Sequence, residues 1–264
     1  MKPLIVVKLG GSVVTRKDEP FKPNTLVIEQ VSKQVSGLLR DYSFILVHGG
    51  GSYGHVVASE HRVDEGYLEP NQLIGLSRVK LSMNELTQLI LASLASHGVP
   101  AVPVTPVSCL TCSSGRIESF FTRPLRMMLS LGLVPLIPGD IAMDSSEKRF
   151  TIVSGDQLAS FLAVRLGAVK LIYGTDVDGV FTSDPRLNPD ASLIRRLNRR
   201  TIRGFAASLR PGDVTGGICK KIEEGLYAAE KGVRVIIGNL TRPEALSLMV
   251  KDEAGFECTI LEAG

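Results

Sequence analysis

The stretch Leu4-Ile5-Val6-Val7-Lys8-Leu9-Gly10-Gly11-Ser12 is an apolar run, broken only by Lys8, that ends in a glycine pair. A strand apolar on both faces belongs in a mostly parallel sheet covered by helices on each side. Similar runs recur at Ser43–His48, Val169–Tyr173 and Val233–Ile237, and further strands are expected at Ala101–Thr105 and Leu133–Ile137. Helical periodicity alternates with them. Asn24 is placed to cap a helix with Ile28, Val31, Val35, Leu38 and Leu39 on one face. Longer helices are expected over Gln72–Ser96, Gln157–Leu166 and Ile218–Lys231, and Ile141–Val153 reads as a β-hairpin. This alternation is that of an α/β layered fold. No repeat, low-complexity tract or linker interrupts it. The whole chain, 1–264, therefore reads as a single domain whose two lobes, 1–167 and 168–264, share one sheet.

Composition narrows the function. At 264 residues, 44% hydrophobic and 22% charged, the chain is globular, which excludes collagen, coiled coil and disorder as its main state. Thirty Lys and Arg against 27 Asp and Glu leave +3, too little for a dedicated nucleic-acid surface. A pocket for a small anion needs only a few local cations. The N-terminus lacks a signal-peptide core, and no apolar run approaches the roughly 18–20 residues that cross a bilayer, so a cytoplasmic protein without a membrane partner is expected. Cys109 and Cys112 make one CxxC, but no second pair completes a zinc site, and the four cysteines read as reduced structural thiols.

Glycine clusters carry the chemistry. Gly10-Gly11 and Gly49-Gly50-Gly51 follow strands, and Gly216-Gly217 precedes a helix. Such junctions turn backbone N–H groups toward an anion. One glycine pair can be no more than a tight turn; three in one chain favour phosphate. Gly49, Gly51 and Gly54 also fit GxGxxG, so a dinucleotide-dependent oxidoreductase with Asp64 or Glu69 on a ribose is an alternative. The P-loop reading fails because His55 and Val56 stand where Lys and Ser/Thr are needed. Lys8 inside a buried strand must meet an anion, since an unpaired buried ammonium is costly. Lys221 follows Gly217 on the first turn of a helix, a poor place for a cation unless an anion is near. Lys17 reads as a solvated loop charge. Asp156 opens a helix as a cap, or else orients the lysines or a metal; Asp176 and Asp178 are turn formers or ligand groups.

Taken together, Lys8-Leu9-Gly10-Gly11-Ser12, His48-Gly49-Gly50-Gly51, Ser154-Gly155-Asp156, Thr175-Asp176-Val177-Asp178-Gly179-Val180 and Thr215-Gly216-Gly217-Ile218-x-x-Lys221 resemble the amino acid kinase superfamily. The second glycine loop, Gly49-Gly50-Gly51-Ser52-Tyr53-Gly54-His55, looks like the form found in the isopentenyl phosphate kinase group, and Lys17 matches a lysine of that group. Fosfomycin kinases share much of the pattern. Ile218 departs from the methionine many relatives carry there, a conservative change.

The resemblance implies a three-layer αβα sandwich around a mainly parallel central sheet. The acceptor phosphate would lie on the N-terminal lobe and ATP on the C-terminal lobe. It also implies ATP with Mg2+ carried on it, no protein metal site, a homodimer, and phosphorylation of isopentenyl phosphate to the diphosphate in isoprenoid biosynthesis. Lys8 and Lys221 would meet the ATP phosphates, with Lys17 stabilising the transition state and Asp156 holding Lys8 and Lys221. Gly10, Gly11, Ser12, Gly51, Asp176 and Gly217 would lie on the nucleotide, and Gly50, His55 and Gly155 on the acceptor. Because the helix Gln72–Ser96 follows the His55 loop, Leu76, Val79 and Met83 are candidates to wall an acceptor's tail, with core packing the alternative for each.

Overall fold

Leu4–Leu9 needs apolar cover on both faces, and in the computed structural model, which describes residues 2–16, 19–202 and 216–264, it lies inside an eight-stranded sheet. The strands in chain order are β1 (Leu4–Leu9), β2 (Ser43–His48), β3 (Ala101–Pro103), β4 (Leu110–Ser113), β5 (Arg116–Phe120), β6 (Val134–Pro138) and β7 (Ile141–Asp144). They continue with β8 (Phe150–Ile152), β9 (Lys170–Thr175), β10 (Val180–Phe181), β11 (Leu193–Ile194), β12 (Arg196–Leu197), β13 (Arg234–Asn239) and β14 (Cys258–Leu261). The large sheet runs β12-β14-β13-β9-β1-β2-β6-β3. From β13 to β3 every neighbouring pair is parallel, and only β13 and β14 pair antiparallel.

Side-chain alternation divides the core between two helical layers. Leu4 and Val6 join Ile45, Val47, Leu171, Tyr173, Val235 and Ile237 under helices α6 (Gly155–Leu166) and α7 (Gly216–Glu230). Ile5, Val7 and Leu9 face the opposite layer, built from α2 (Thr25–Leu38), α4 (Gln72–Ser96) and α8 (Ala245–Lys251). The three-layer αβα reading therefore holds, and by the same alternation Lys8 points toward α6 and α7.

A second, four-stranded sheet, β5-β4-β7-β8, contains the expected hairpin as the antiparallel pair β7 and β8. Gln157 ties it to α6, accepting from the Ile117 N–H and donating to the Gly115 carbonyl. Three short helices have bounds that were not foreseen: α1 (Gly11–Val14), α3 (Gly51–Glu60), where a helix start is expected only after Gly54, and α5 (Arg123–Ser130). The first two begin within glycine turns, where the turn chemistry masked a helix start. All four cysteines are free, and burial followed by the Asp144 charge pushes the Cys112 thiol up to about 11. Among the described residues no helix is long and apolar enough to cross a membrane.

Candidate active site

The parallel strands end along one edge, with Leu9 level with both His48 and Gly174, and His48 level with Pro138. The turns leaving this edge stack backbone on backbone. A Cβ on Gly11 would lie 2.7 Å from the Gly51 Cα, and one on Gly10 would lie 2.6 Å from the Gly174 oxygen. Gly51 has φ +49, and a Cβ there would sit 2.1 Å from Thr15 Oγ1. Only glycine allows this contact. Gly217 differs, since a Cβ there would meet nothing within 4 Å among the described residues.

Hydrogen bonds then sort the donors. The Gly10 N–H is spent on the Gly174 carbonyl at 3.0 Å, so Gly10 serves the site by its shape rather than as a donor. The Ser12 hydroxyl donates to Asp176 Oδ1 at 2.8 Å, and Ser52 N–H donates to Thr15 Oγ1 at 3.2 Å. The N–H groups of Gly11, Ser12, Gly50 and Gly51 stay outside the turns' own bonds among the described residues. They lie at the starts of α1 and α3, an arrangement suited to phosphate oxygens.

Beside these turns two buried lysines share one carboxylate oxygen. Lys8 Nζ lies 3.0 Å and Lys221 Nζ 2.7 Å from Asp156 Oδ1. Two cations against one anion leave the cluster one positive charge in excess. Burial opposes ionisation of Asp156, but Lys221 and Lys8 prevail and hold its carboxyl below the usual range. Burial, then repulsion from Lys8, pulls Lys221 down to about 8 against the attraction of Asp156. Asp156 stands in the first turn of α6, where Ser154 Oγ caps the helix by accepting from Gln157 N–H at 3.1 Å. Gly155 lets the Lys8 stem pass; a Cβ there would come 3.1 Å from Lys8 Cε. Lys221 falls on the second turn of α7, since the helix starts at Gly216, and not on the first turn as expected.

The remaining candidates are spread along the same edge. Asp176 accepts from Ser12 and faces Arg186 at 3.5 Å, while Asp178 is held by Asn239 and Arg242. His55 is exposed on α3, which begins at Gly51, so the N–H groups at the helix start are those of Gly50 and Gly51 and not those next to His55. Lys17 and Thr215 lie outside the described residues. Val79 and Met83 are buried in a small cluster with Leu76 packed against it, and Met83 Sδ lies 3.0 Å from where a Gly50 Cβ would be. Asp64 lies in a 3-10 turn, Val63–Glu65, and Glu69 in the chain before α4. Neither is at a strand end, so the dinucleotide pattern lacks its ribose partner.

Two residues without an assigned role belong to the site. His48 is fully buried, with Nε2 2.9 Å from Thr87 Oγ1 and Nδ1 3.2 Å from the Gly49 carbonyl. Burial, aided by the charges of Lys80 and Lys8, brings it down to about 4 despite the Gly49 bond, so the ring is neutral. Tyr173 lies under Lys221, 5.0 Å from Nζ to ring centroid. Its place opposite Lys8 is set by strand pairing, and nothing in its apolar strand marked it in the sequence.

No group of three or more His, Cys, Asp or Glu among the described residues could hold a metal ion. The excess positive charge and unspent N–H donors suit a polyphosphate anion.

Comparison with known proteins agrees with this arrangement. The pattern of the amino acid kinase family matches residues 3–239. Isopentenyl phosphate kinase of Methanothermobacter thermautotrophicus is 35% identical over 247 residues, covering 91% of this chain and 92% of that protein. The Thermoplasma acidophilum isopentenyl phosphate kinase is 32% identical, covering 94% and 97%. A solved isopentenyl phosphate kinase superposes with a TM-score of 0.84 at 31% identity, over 98% of this chain and 99% of that one. Strand-end glycine turns, a carboxylate shared by two lysines and this similarity along nearly the whole chain lead to one assignment: the protein belongs to the amino acid kinase family.

Proposed function

We propose that the protein transfers the γ-phosphoryl group of ATP to isopentenyl phosphate, forming isopentenyl diphosphate and ADP. The observation that carries this reading is the pair of buried ammonium groups on one Asp156 oxygen, beside two glycine turns with unspent N–H donors. The acceptor class rests on the isopentenyl phosphate kinases that the chain resembles.

A phosphate monoester has a second pKa of about 6 and is already anionic near neutrality, so no general base is needed. The difficulty is bringing two anions together, which requires fixed positive charge and aligned donors. In this proposal Lys8 and Lys221 hold the transferring phosphoryl group and Asp156 fixes their positions. Gly11, Ser12, Gly51 and Gly217 present backbone to the nucleotide, with Asp176 on the same side. Gly50, His55 and Gly155 serve the acceptor, and Lys17 balances charge in the transition state. Mg2+ arriving on the nucleotide would screen the charge of the ATP phosphates, while Lys8 and Lys221 supply the protein's own positive charge.

An acceptor phosphate oxygen forms a bond to the γ-phosphorus as the bond from that phosphorus to the β–γ bridging oxygen breaks. ADP leaves with that electron pair. A homodimer belongs to the same proposal, tested by sedimentation at twice the 28.4 kDa chain mass.

ATP consumption measured with isopentenyl phosphate, dimethylallyl phosphate, fosfomycin, acetylglutamate and UMP decides the acceptor. Turnover should be fastest with isopentenyl phosphate. Preference for fosfomycin, or saturable NADH binding without ATP turnover, would reverse the assignment.

A further inference from the structure

We propose that Tyr173 is a positioning residue whose ring face holds the Lys221 ammonium charged and in place, acting through Lys221 rather than on substrate. Tyr173 is wholly buried in β9, level with Lys8 on β1. Its ring lies under Lys221 Nζ at 5.0 Å, within the range where the negative face of an aromatic ring attracts a cation. Its hydroxyl donates to the Asp156 carbonyl at 3.0 Å and lies 2.9 Å from Ser160 Oγ. One side chain therefore touches both the ammonium and the helix turn that carries its carboxylate partner.

The packing allows little slack. α7 approaches the ring at Gly225, where a Cβ would come 3.1 Å from Tyr173 Cε2 and 2.4 Å from Leu261 Cδ1. Ser160 Oγ also donates to the Glu224 carbonyl of α7, joining α6, α7 and β9 around the ring. Among the described residues the charged groups facing Lys221 are Asp156 from α6 and Lys8 from β1; Glu224, on its own helix, is engaged by Arg116 of β5. Asp156 serves two ammonium groups, so the electron-rich ring is the second feature favouring the charged form of Lys221. The same burial that lowers Lys221 also strengthens the attraction, because little water competes with the ring.

This inference rests on the kinase reading, so its test includes a measurement independent of activity. Lysines labelled at Cε are titrated by NMR in the whole protein, with Lys221 assigned by the signal lost in Lys221→Arg. Tyr173→Phe keeps the ring and should leave the Lys221 midpoint within about 0.3 pH unit of its wild-type position. Tyr173→Leu removes the ring, and the midpoint should fall by roughly half to one pH unit. The alkaline limb of kcat/KM for ATP should move down with it. Should Tyr173→Leu fail to fold, trifluorophenylalanine at position 173 keeps the shape while weakening the negative face, and should lower the midpoint relative to phenylalanine. A midpoint unmoved in the leucine or fluorinated protein, or a phenylalanine variant shifted as far as the leucine one, overturns the proposal. An NMR shift in a protein that turns over no phosphate acceptor would leave it standing and reject the kinase reading.

Discussion

Lys221 shows what a residue gains from its neighbours. Alone on a helix it is an ordinary lysine; buried against Lys8 and Asp156 it is brought down to about 8. Polyphosphate binding should raise it again, so the free protein loses the proton at lower pH than the ATP complex. Between those two values binding takes up a proton. ATP affinity should accordingly weaken as pH rises through about 8, and calorimetry in buffers of different ionisation heat should show net proton uptake near that pH. Proton release there would contradict the charged role of Lys221. Alanine at Lys8 or Lys221 should each reduce kcat by about 100-fold or more, about 3 kcal/mol, because both face charge that moves in the transition state. Single-turnover kinetics with ATP and isopentenyl phosphate measure this; a normal rate in both variants would remove the lysines from the mechanism. The lysines and Asp156 were legible as residues beside glycine turns, and the family resemblance implied that Asp156 holds both lysines. Residue spacing could not show that one oxygen serves both, because 148 positions separate Lys8 from Asp156 and only the folded chain joins them.

At the scale of an element, the glycine turns separate into two kinds. Gly51 is required by the fold itself, with positive φ and Thr15 Oγ1 where a Cβ would go. Gly51→Ala should lower stability by at least about 1–2 kcal/mol from backbone strain alone, and it should also raise the KM for ATP. Gly217, in the first turn of α7, meets no described residue within 4 Å of where a Cβ would go. Alanine there should stabilise the helix by about 0.5–1 kcal/mol, while weakening ATP binding because the methyl group enters the ligand's space. Thermal unfolding and ATP titration of the pair distinguish the roles; a Gly217→Ala protein that binds ATP normally would show that this glycine is not a ligand contact. The long elements were readable because periodicity accumulates over many residues, and α4 runs over the expected Gln72–Ser96. Short pieces such as β10, β11 and β12, two residues each, were not, because pairing partners rather than local pattern create them.

At the scale of the whole molecule, one continuous sheet carries the glycine turns of both halves to the same edge. The proposed division puts the acceptor beside α3 and the nucleotide beside α7. His55, exposed on α3, tests that division. His55→Ala should raise the KM for isopentenyl phosphate at least tenfold and leave the KM for ATP within about twofold, as the proposed division between the lobes requires. Initial-rate kinetics with each substrate varied in turn provide the check; the opposite pattern would exchange the lobes. The sequence by itself determined the layered architecture, because strands apolar on both faces must be covered twice, and it determined which turns can approach an anion, because only glycine permits the contact. Tertiary structure alone decided how the charges meet. Strand pairing put Lys8 level with Tyr173, helix packing laid Lys221 over that ring, and both ammonium groups reached Asp156. Electrostatic coupling depends on distance through the folded protein, and separation along the chain does not encode it.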